Sequence, residues 1–216
     1  MEKSHWVSDL NWVRQTSQSR AQATQEKIFD SAEKLFATQG IADSSMSDIA
    51  KGANISIGGL YHHFKDKHTL ILALYQRIYD DIHSLIELCC QKQRWQGAKI
   101  PEIIRGVLEI SFSLNDELPW RHRAKTAICE FSPELKSQHE LIYQTLHKHL
   151  MEMMGERVDE VTHSNPTVAL PFTLDLLFAV IDMHYSESFT IHSVECTNST
   201  VIEETLTNLS SYLGLK

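Results

Sequence analysis

The stretch from Ser45 to Lys67 constrains the fold of this chain more than any other segment. Its pattern predicts a helix, a three-residue turn, a second helix and the start of a third. Ser45 can cap the first helix with its hydroxyl, and Asp48, three residues later, gives a variant of the capping box. Asn54 tolerates a left-handed backbone, so it can end that helix and reverse the chain, and Ser56 can cap the next helix. The sequence therefore predicts a helix-turn-helix arrangement.

The second helix of this arrangement, Ile57 to Phe64, is poorly suited to helix formation on its own. Leu60 and Phe64 lie one turn apart and are expected to point inward. Gly58 and Gly59 each cost roughly 1 kcal/mol relative to alanine in a helix. Such a start indicates that something needs the bare backbone, and close approach to a phosphate chain or a groove wall is the usual need.

The order of residue types in this stretch resembles the DNA-binding motif of the tetracycline-repressor (TetR) family. The family pattern runs I-A-x-x-A-G-V-S-x-G-x-L-Y-x-H/Y-F-x-x-K-x-x-L. Asn54 stands where the family usually has glycine and Ile55 where it usually has valine, and both changes suit the same geometry. The similarity covers Ala21 to about Ile82, and beyond that it is architectural only. The matching residues are Ile49, Ala50, Ala53, Ser56, Gly58, Leu60, Tyr61, His63, Phe64, Lys67 and Leu70.

The resemblance implies that the second helix of the motif lies in the major groove of double-stranded DNA. Lys67 would then pair with a phosphate, and Ile57 could touch a thymine methyl group. Tyr61 has an alternative role, which is packing under the first helix of the chain. The DNA-contacting residues expected from the resemblance are Ser45, Met46, Ser56, Ile57, Gly58, Gly59, Tyr61, His62 and Lys67.

The second helix of the motif contains no arginine, asparagine or glutamine, which are the side chains best suited to bidentate base readout. We therefore expect sequence specificity to depend on few direct base contacts together with the shape of the DNA.

The rest of the chain predicts an all-α fold of about nine helices. Apolar residues recur at helical spacing, alternation typical of strands is absent, and four of the five prolines stand where a helix can begin. We expect a short linker over residues 92–99. Besides the motif, the helices are expected near residues 24–39, 66–93, 101–114, 119–131, 133–160, 166–191 and 196–213.

The predicted division is an N-terminal arm (1–21), a helix-turn-helix DNA-binding domain (22–82, motif 45–64) and a larger helical domain for ligand binding and dimerisation (83–216). The arm contains Trp6, Trp12 and two arginines. It is either a frayed tail or an extra element in which Arg14 and Arg20 reach DNA.

Charge is distributed unevenly along the chain. Residues 1–67 contain eight basic and eight acidic side chains, so the whole net charge of −8 falls on residues 68–216. A neutral N-terminal part and an acidic remainder fit a protein that touches phosphate at one end only.

Several classes of protein are disfavoured by the sequence. The N-terminus has no continuous apolar region of the secretory kind, and we expect no membrane-spanning run. Cys89, Cys90, Cys129 and Cys196 have no framework spacing, which favours a reducing cytoplasm. The twelve histidines lack the spacing of a metal site, and no catalytic or phosphate-loop motif occurs. We therefore expect no metal, no cofactor and no enzymatic activity.

The last two helices are the expected dimerisation element, since two helices from each of two chains can close a four-helix bundle. The alternative is that these helices simply cover the core of one chain. The expected interface residues are Leu174, Leu177, Phe178, Ile181, Ile202, Leu206, Leu209 and Leu213.

The larger helical domain also has aromatic residues that could enclose a ligand. For any one of them, ordinary core packing is the competing explanation. The candidate pocket residues are Trp120, His122, Ile128, Phe131, Tyr143, Phe172, Phe178, Met183 and His184.

These observations predict a homodimeric regulator of transcription, most often a repressor in the family that it resembles. A palindromic operator and release by a small, largely apolar effector are expected. The alternative is a protein with the same fold that answers to a protein partner.

Overall fold

A computed structural model of the chain describes residues 20–117, 120–185 and 197–215, so most of the predicted arm, Pro119 and Cys196 lie outside the described residues. All regular secondary structure in the described part is helical, as predicted. Its nine α-helices are α1 (Arg20–Asp43), α2 (Met46–Gly52), α3 (Ile57–His63), α4 (Lys67–Cys89), α5 (Ile100–Glu117), α6 (Arg121–Phe131), α7 (Pro133–Gly155), α8 (Pro166–Tyr185) and α9 (Asn198–Leu213). Short 3-10 helices cover Lys92–Trp95 and Val158–Glu160.

Most predicted helix ends are confirmed by the local chemistry. In α1 the helical backbone is interrupted at Gly40, whose φ of 79° few other residues adopt. Asp66 caps α4, accepting from the Thr69 amide at 2.7 Å and from its hydroxyl at 2.8 Å. Pro133 and Pro166 each begin a helix, where the missing amide hydrogen costs no bond.

The described residues fall into two compact units. The N-terminal unit contains residues 20–85 and 120–142, and the C-terminal unit contains residues 86–117, 143–185 and 197–215. The break after residue 85 lies near the predicted boundary at residue 83. The N-terminal unit also includes residues 120–142, which were predicted to belong to the larger domain, because α6 packs against α1. The two partners are about ninety residues apart in sequence, and no local pattern predicts such a contact.

The core of the N-terminal unit is built by α1, α2, α3, α4 and α6. Ile28 and Phe36 of α1, Leu60 of α3 and Leu74 of α4 are almost fully buried there, together with Ile128 of α6. These side chains form a continuous apolar layer behind α3, which fixes the position of that short helix.

A network of buried charges also joins α1, α4 and α6. The Arg77 guanidinium donates to Glu26 at 2.6 Å and to Glu33 at 2.5 Å, and Arg121 donates to the same Glu33 at 3.2 Å and to Asp81 at 2.7 Å. Burial alone would lower the pKa of Arg77, but Glu33 and Glu26 outweigh it and the pKa is raised. Arg77 therefore remains charged, and removing one of its partners would leave an uncompensated charge inside the unit.

The predicted linker at residues 92–99 is a packed segment in the structure. Trp95 is almost fully buried, and its indole N–H donates to the Cys89 carbonyl at 2.6 Å. The Arg157 guanidinium donates to the carbonyl oxygens of Trp95 at 2.7 Å and Ala98 at 2.6 Å. These bonds join the segment to the end of α7, within the C-terminal unit.

The core of the C-terminal unit corrects the expected dimerisation surface. Helices α5, α8 and α9 pack against one another, and this packing buries seven of the eight nominated side chains within their own unit. Such side chains have no surface left for a second chain. The seven are Leu174, Leu177, Ile181, Ile202, Leu206, Leu209 and Leu213; Phe178 is half-buried.

Helix α8 carries a second apolar face that the sequence analysis did not separate from the first. Val168, Phe172, Leu176 and Met183 lie at intervals of one or two turns, and all four are exposed. By length and composition this helix could span a membrane, against the expectation from sequence, but one such helix is weak evidence. Apolar residues on two sides explain the result without a membrane.

Candidate nucleic-acid interface

Capping interactions hold helices α2 and α3 in the predicted arrangement. The Ser45 hydroxyl accepts from the Asp48 amide at 3.1 Å, and the Asp48 carboxylate accepts in return from the Ser45 amide at 3.3 Å. This is the capping box expected from the sequence. The Ser56 hydroxyl accepts from the Gly59 amide at 3.1 Å and caps α3 in the same way.

The turn between α2 and α3 has the geometry that Asn54 was predicted to permit. Asn54 has a φ of 55°, and it is the only non-glycine residue with a positive φ in the described part of the chain. Its amide donates to the Lys51 carbonyl at 3.1 Å, and the Ile55 amide donates to the Ala50 carbonyl at 3.0 Å. This pair of bonds is the Schellman motif, which ends α2 and directs the chain into α3.

Helix α3 presents one face to solvent and is seated by the other. Leu60 is fully buried, and the Phe64 ring lies 5.6 Å from the ring of Phe29 in α1. On the outer face Ile57 is 43% exposed and Tyr61 is 51% exposed. Tyr61 therefore does not pack under α1, which was the alternative role for this residue.

The two glycines of α3 differ in how much space surrounds them. A Cβ atom added to Gly58 would meet no other atom within 4 Å, whereas one added to Gly59 would lie 3.2 Å from the Ser56 hydroxyl that caps the helix. Neighbouring residues therefore leave room for a side chain at position 58. Its bare backbone is available for close approach by another molecule.

Two of the nominated DNA-contacting residues lie where their side chains serve the protein itself. Met46 is only 8% exposed and belongs to the core. The Lys67 ammonium donates to the carbonyl oxygens of Ile41 and Ala42, so it closes the end of α1 rather than extending into solvent. Sequence spacing does not reveal this contact, because donor and acceptor are about 25 residues apart.

The other nominated positions remain accessible. Ser45, Ser56, Gly58 and His62 are exposed and Gly59 is half-buried. The structure also adds exposed residues beside this surface that the sequence analysis did not nominate: Lys51, Lys65 and His68.

The nine candidate pocket residues are divided between the two units. In the N-terminal unit Ile128 is fully buried, Phe131 is exposed, and Lys34 and Arg123 lie over the ring of Trp120. His122 is half-buried in the same unit. The other five residues, Tyr143, Phe172, Phe178, Met183 and His184, belong to the C-terminal unit.

Contacts in the C-terminal unit give these five residues separate surroundings. The rings of Tyr143 and Phe178 meet edge to face at 5.6 Å, and His184 lies 4.8 Å from Phe112. Phe172 and Met183 are exposed on α8.

A cavity of about 530 Å³ lies between α5 and α9 of the C-terminal unit, and none of the nine candidates lines it. Its lining is mostly polar. Arg105 binds Glu203 with two nitrogen–oxygen contacts of 2.7 and 2.8 Å, and the Asn198 amide donates to both Asp116 oxygens at 3.0 Å. Buried Glu109 completes the charged part of the lining. The nominated aromatic set therefore does not describe this cavity.

The capped turn, the seated α3 and its exposed face together form a helix-turn-helix motif of the kind that DNA-binding proteins use. Residues 28–74 match the family model of bacterial regulatory proteins, tetR family. The DNA-binding segment of the chain therefore belongs to the TetR family, as its motif suggested.

Comparisons with curated proteins agree with this assignment. The chain is 39% identical over 73 residues to the HTH-type transcriptional regulator AcrR of Shigella flexneri, a match that covers 34% of each chain. It is 24% identical over 176 residues to the HTH-type transcriptional regulator UidR of Escherichia coli strain K12, covering 76% of this chain and 83% of that protein. The match to AcrR spans only about a third of that relative. Both relatives carry names of transcriptional regulators, the class expected for this chain.

A solved structure extends the likeness over most of the fold. NalD, the secondary repressor of the MexAB-OprM multidrug efflux pump in Pseudomonas aeruginosa, superposes with a TM-score of 0.62 at 19% identity. The superposition covers 89% of this chain and 97% of NalD. At this identity the likeness describes the fold alone.

Proposed function

We propose that the protein is a homodimeric repressor that binds a palindromic operator in the cytoplasm and releases it when a small effector binds. The observation that carries this proposal is α3, a short helix seated by Leu60 and Phe64 with Ile57, Gly58 and Tyr61 on its open face. A helix of this kind can enter the major groove of DNA with its N-terminal end toward the bases.

The proposed contacts follow from what each exposed group can offer. Gly58 offers an unobstructed backbone, Tyr61 offers a phenol to a phosphate or a base edge, and Ile57 offers an apolar group to a thymine methyl. Ser56 already accepts a bond from its own helix, but it is exposed and its hydroxyl can still donate to phosphate. The Ser45 hydroxyl already donates to the Asp48 carboxylate, so a phosphate contact at Ser45 would have to replace that bond. We leave Met46 and Lys67 out of the proposed side-chain contacts, because the core and the end of α1 hold them.

The homodimer is proposed to form through the outer face of α8 rather than through the leucines first nominated. Exposed Val168, Phe172, Leu176 and Met183 make a row along this helix. Such an apolar row on a regulator is expected to be covered, and a second copy can cover it with the same residues by two-fold symmetry. The same symmetry would present two copies of α3 to two half-sites.

The proposed effector differs in kind from the one expected from the sequence. The cavity between α5 and α9 is lined by Arg105, Glu109, Asp116 and Glu203, among others, which favours a polar molecule with several hydrogen-bonding groups. The effector must bind the DNA-incompetent state more tightly, and a tenfold loss of operator affinity needs about 1.4 kcal/mol of coupling. Control by a protein partner is the second candidate function, and the exposed face of α8 would be the surface that binds this partner.

A selection of genomic fragments by the purified protein tests the proposed function. We expect enrichment of one or a few fragments, including DNA next to the gene itself. In gel shifts on an enriched fragment, Tyr61→Ala should weaken binding, whereas Glu204→Ala, an exposed change on α9, should leave it unchanged. If no fragment is enriched at low salt, the proposed function is wrong.

A further inference from the structure

The fixed charges around α3 nearly cancel, which is unusual for a surface that meets phosphate. The charged side chains between residues 45 and 69 are Asp48, Lys51, Lys65, Asp66 and Lys67. The Lys67 ammonium is already bonded to the carbonyl oxygens of Ile41 and Ala42. Two exposed lysines and two exposed aspartates cancel, and Lys67 leaves a net fixed charge of only +1 (three lysines less two aspartates), so fixed charge gives this surface little attraction for DNA.

Three histidines stand among these residues. His62 is exposed on α3, His63 is half-buried beside it, and His68 is exposed in the first turn of α4. In the part of the chain that the structure describes, none of the three makes a hydrogen bond or an ion pair. Their interactions are ring contacts for His62 and His63 and an electrostatic one between His68 and Asp66. Imidazole side chains generally gain or lose a proton between pH 5 and 8, so their charge varies within the physiological range.

We propose that His62, His63 and His68 supply the adjustable positive charge of the DNA-contacting surface, so that the protein binds DNA more tightly as the pH falls. This proposal rests on the proposed function, since it assumes that α3 faces DNA. Full protonation would add three positive charges to a surface on which the other exposed charges cancel.

The geometry of the pair on α3 couples proton uptake to binding. The rings of His62 and His63 lie 5.9 Å apart, edge to face. A phosphate group placed against the pair would favour the charged form of each ring, so binding and protonation favour each other.

The carboxylates on neighbouring elements are engaged elsewhere. On α2, Asp48 is held by Ser45, and after α3, Asp66 is held by Thr69. Asp66 also lies within electrostatic reach of His68.

Helix α1 packs on α3 through Phe29 and Phe64, and its acidic side chains do not bond to the three imidazoles either. Glu26, Asp30 and Glu33 bind Arg77. The other charged groups of α1 and α2 beyond Arg20 are Lys27, Lys34, Asp43 and Lys51, and none of them bonds to the three imidazoles.

The sign of the effect follows from linkage. Phosphate favours the protonated imidazole, so binding DNA raises the affinity of these side chains for protons. The added affinity is therefore complete at low pH and is lost as the pH rises through the range in which the complex releases its protons. Each histidine whose proton affinity rises tenfold on binding contributes up to about a tenfold change in the dissociation constant.

Fluorescence anisotropy with a labelled 30-base-pair duplex of arbitrary sequence tests this inference, since phosphate contacts dominate non-specific binding. Titrations at pH 6.0, 7.0 and 8.0 and constant ionic strength should show binding about tenfold or more tighter at pH 6.0 than at pH 8.0. The dependence on salt should also be steeper at pH 6.0, because more phosphates are neutralised.

Three variants separate the proposal from other causes of pH dependence. The triple variant His62→Gln/His63→Gln/His68→Gln should lose most of the pH dependence, and His149→Gln, on α7, should keep it. His62→Lys/His68→Lys fixes two charges, so it should bind tightly at pH 8.0 with a reduced pH dependence. This gain of binding cannot come from loss of folding.

The outcomes of these titrations are distinct. DNA binding that is independent of pH in the wild type, or equally pH-dependent in the triple variant, overturns the inference and leaves the proposed function standing. Absence of binding to any duplex at any pH overturns the proposed function as well.

Discussion

Helices α3 and α8 both expose residues that a lone chain does not need to expose, but they do so in opposite ways. Helix α3 is short, begins with two glycines and is held by a serine cap and two buried side chains. Helix α8 is long and apolar on two sides, one packed against α5 and α9 and the other open.

The difference indicates two kinds of partner. A polar surface with a bare backbone suits a charged, hydrated partner such as DNA, and an apolar row suits another protein surface. The predictions below separate these two roles, from the largest expected effect to the smallest.

Adjacent leucines of α8 give the largest contrast. Leu177 is fully buried and Leu176 is 37% exposed. Leu177→Asp places a charge in the core, so it should cost more than about 4 kcal/mol and abolish cooperative thermal unfolding. Leu176→Asp should leave the helical circular-dichroism spectrum intact and halve the mass measured by light scattering. A folded Leu177→Asp dimer would contradict the burial of Leu177. A dimeric Leu176→Asp variant would show that the interface does not include this position of α8.

Gly58→Ala should separate folding from DNA binding on α3. The added methyl group meets nothing in the chain, so the free energy of unfolding should rise by about 0.5–1 kcal/mol. DNA affinity should fall by about tenfold, or about 1.4 kcal/mol, because the methyl group obstructs close approach. Gly155→Ala at the end of α7 is the matched control, since its methyl group is also unobstructed and it should not change DNA affinity. Equal DNA affinity for both variants would show that position 58 is not at the interface.

Removal of the cap of α3 should have a smaller effect on stability. Ser56→Ala leaves the Gly59 amide without its acceptor and should cost about 1 kcal/mol in chemical denaturation. Thr197→Ala removes an equivalent cap from α9, where the hydroxyl accepts from the Thr200 amide at 3.2 Å. The two variants should lose similar stability, but only Ser56→Ala should also weaken DNA binding. If Thr197→Ala weakened DNA binding and Ser56→Ala did not, α3 would not be the DNA-contacting helix.

The smallest expected effect is the loss at low pH of the stability that two capping aspartates contribute. The Ser45 hydroxyl and amide lower the pKa of Asp48, and the Thr69 amide and hydroxyl lower the pKa of Asp66, both from the usual value of 3.8. Groups with a lowered pKa stabilise the fold at and above that usual value, and this contribution is lost as the pH falls through their folded-state pKa. Asp48→Asn/Asp66→Asn should therefore lower the melting temperature at pH 7 and have little effect near pH 2. An equal shift at both pH values would show that the capping charges do not contribute.

Sequence alone predicted the parts of the molecule that local chemistry decides. The capping box at Ser45, the turn at Asn54 and the helix start at Pro166 each depend on residues within six positions of one another. Those signals gave the all-α class, the family and the arrangement of α2 and α3.

Longer-range features could not be predicted in this way. On α8 the leucines of the core and the residues of the open face are equally apolar, so spacing cannot tell which side meets the rest of the chain. The docking of α6 on α1, through Arg121 and Glu33, joins residues 88 apart. The contact between Lys67 and the end of α1 also cannot be predicted from the motif, because a motif specifies residue types and not the groups that they contact.

The central claim is that two copies of α3 face one duplex. Hydroxyl-radical footprinting of the wild-type protein on a selected fragment measures this directly. We expect two protected patches related by two-fold symmetry, with centres about 10 base pairs or a multiple of that distance apart. A single patch, or uniform protection without a centre of symmetry, would contradict the account.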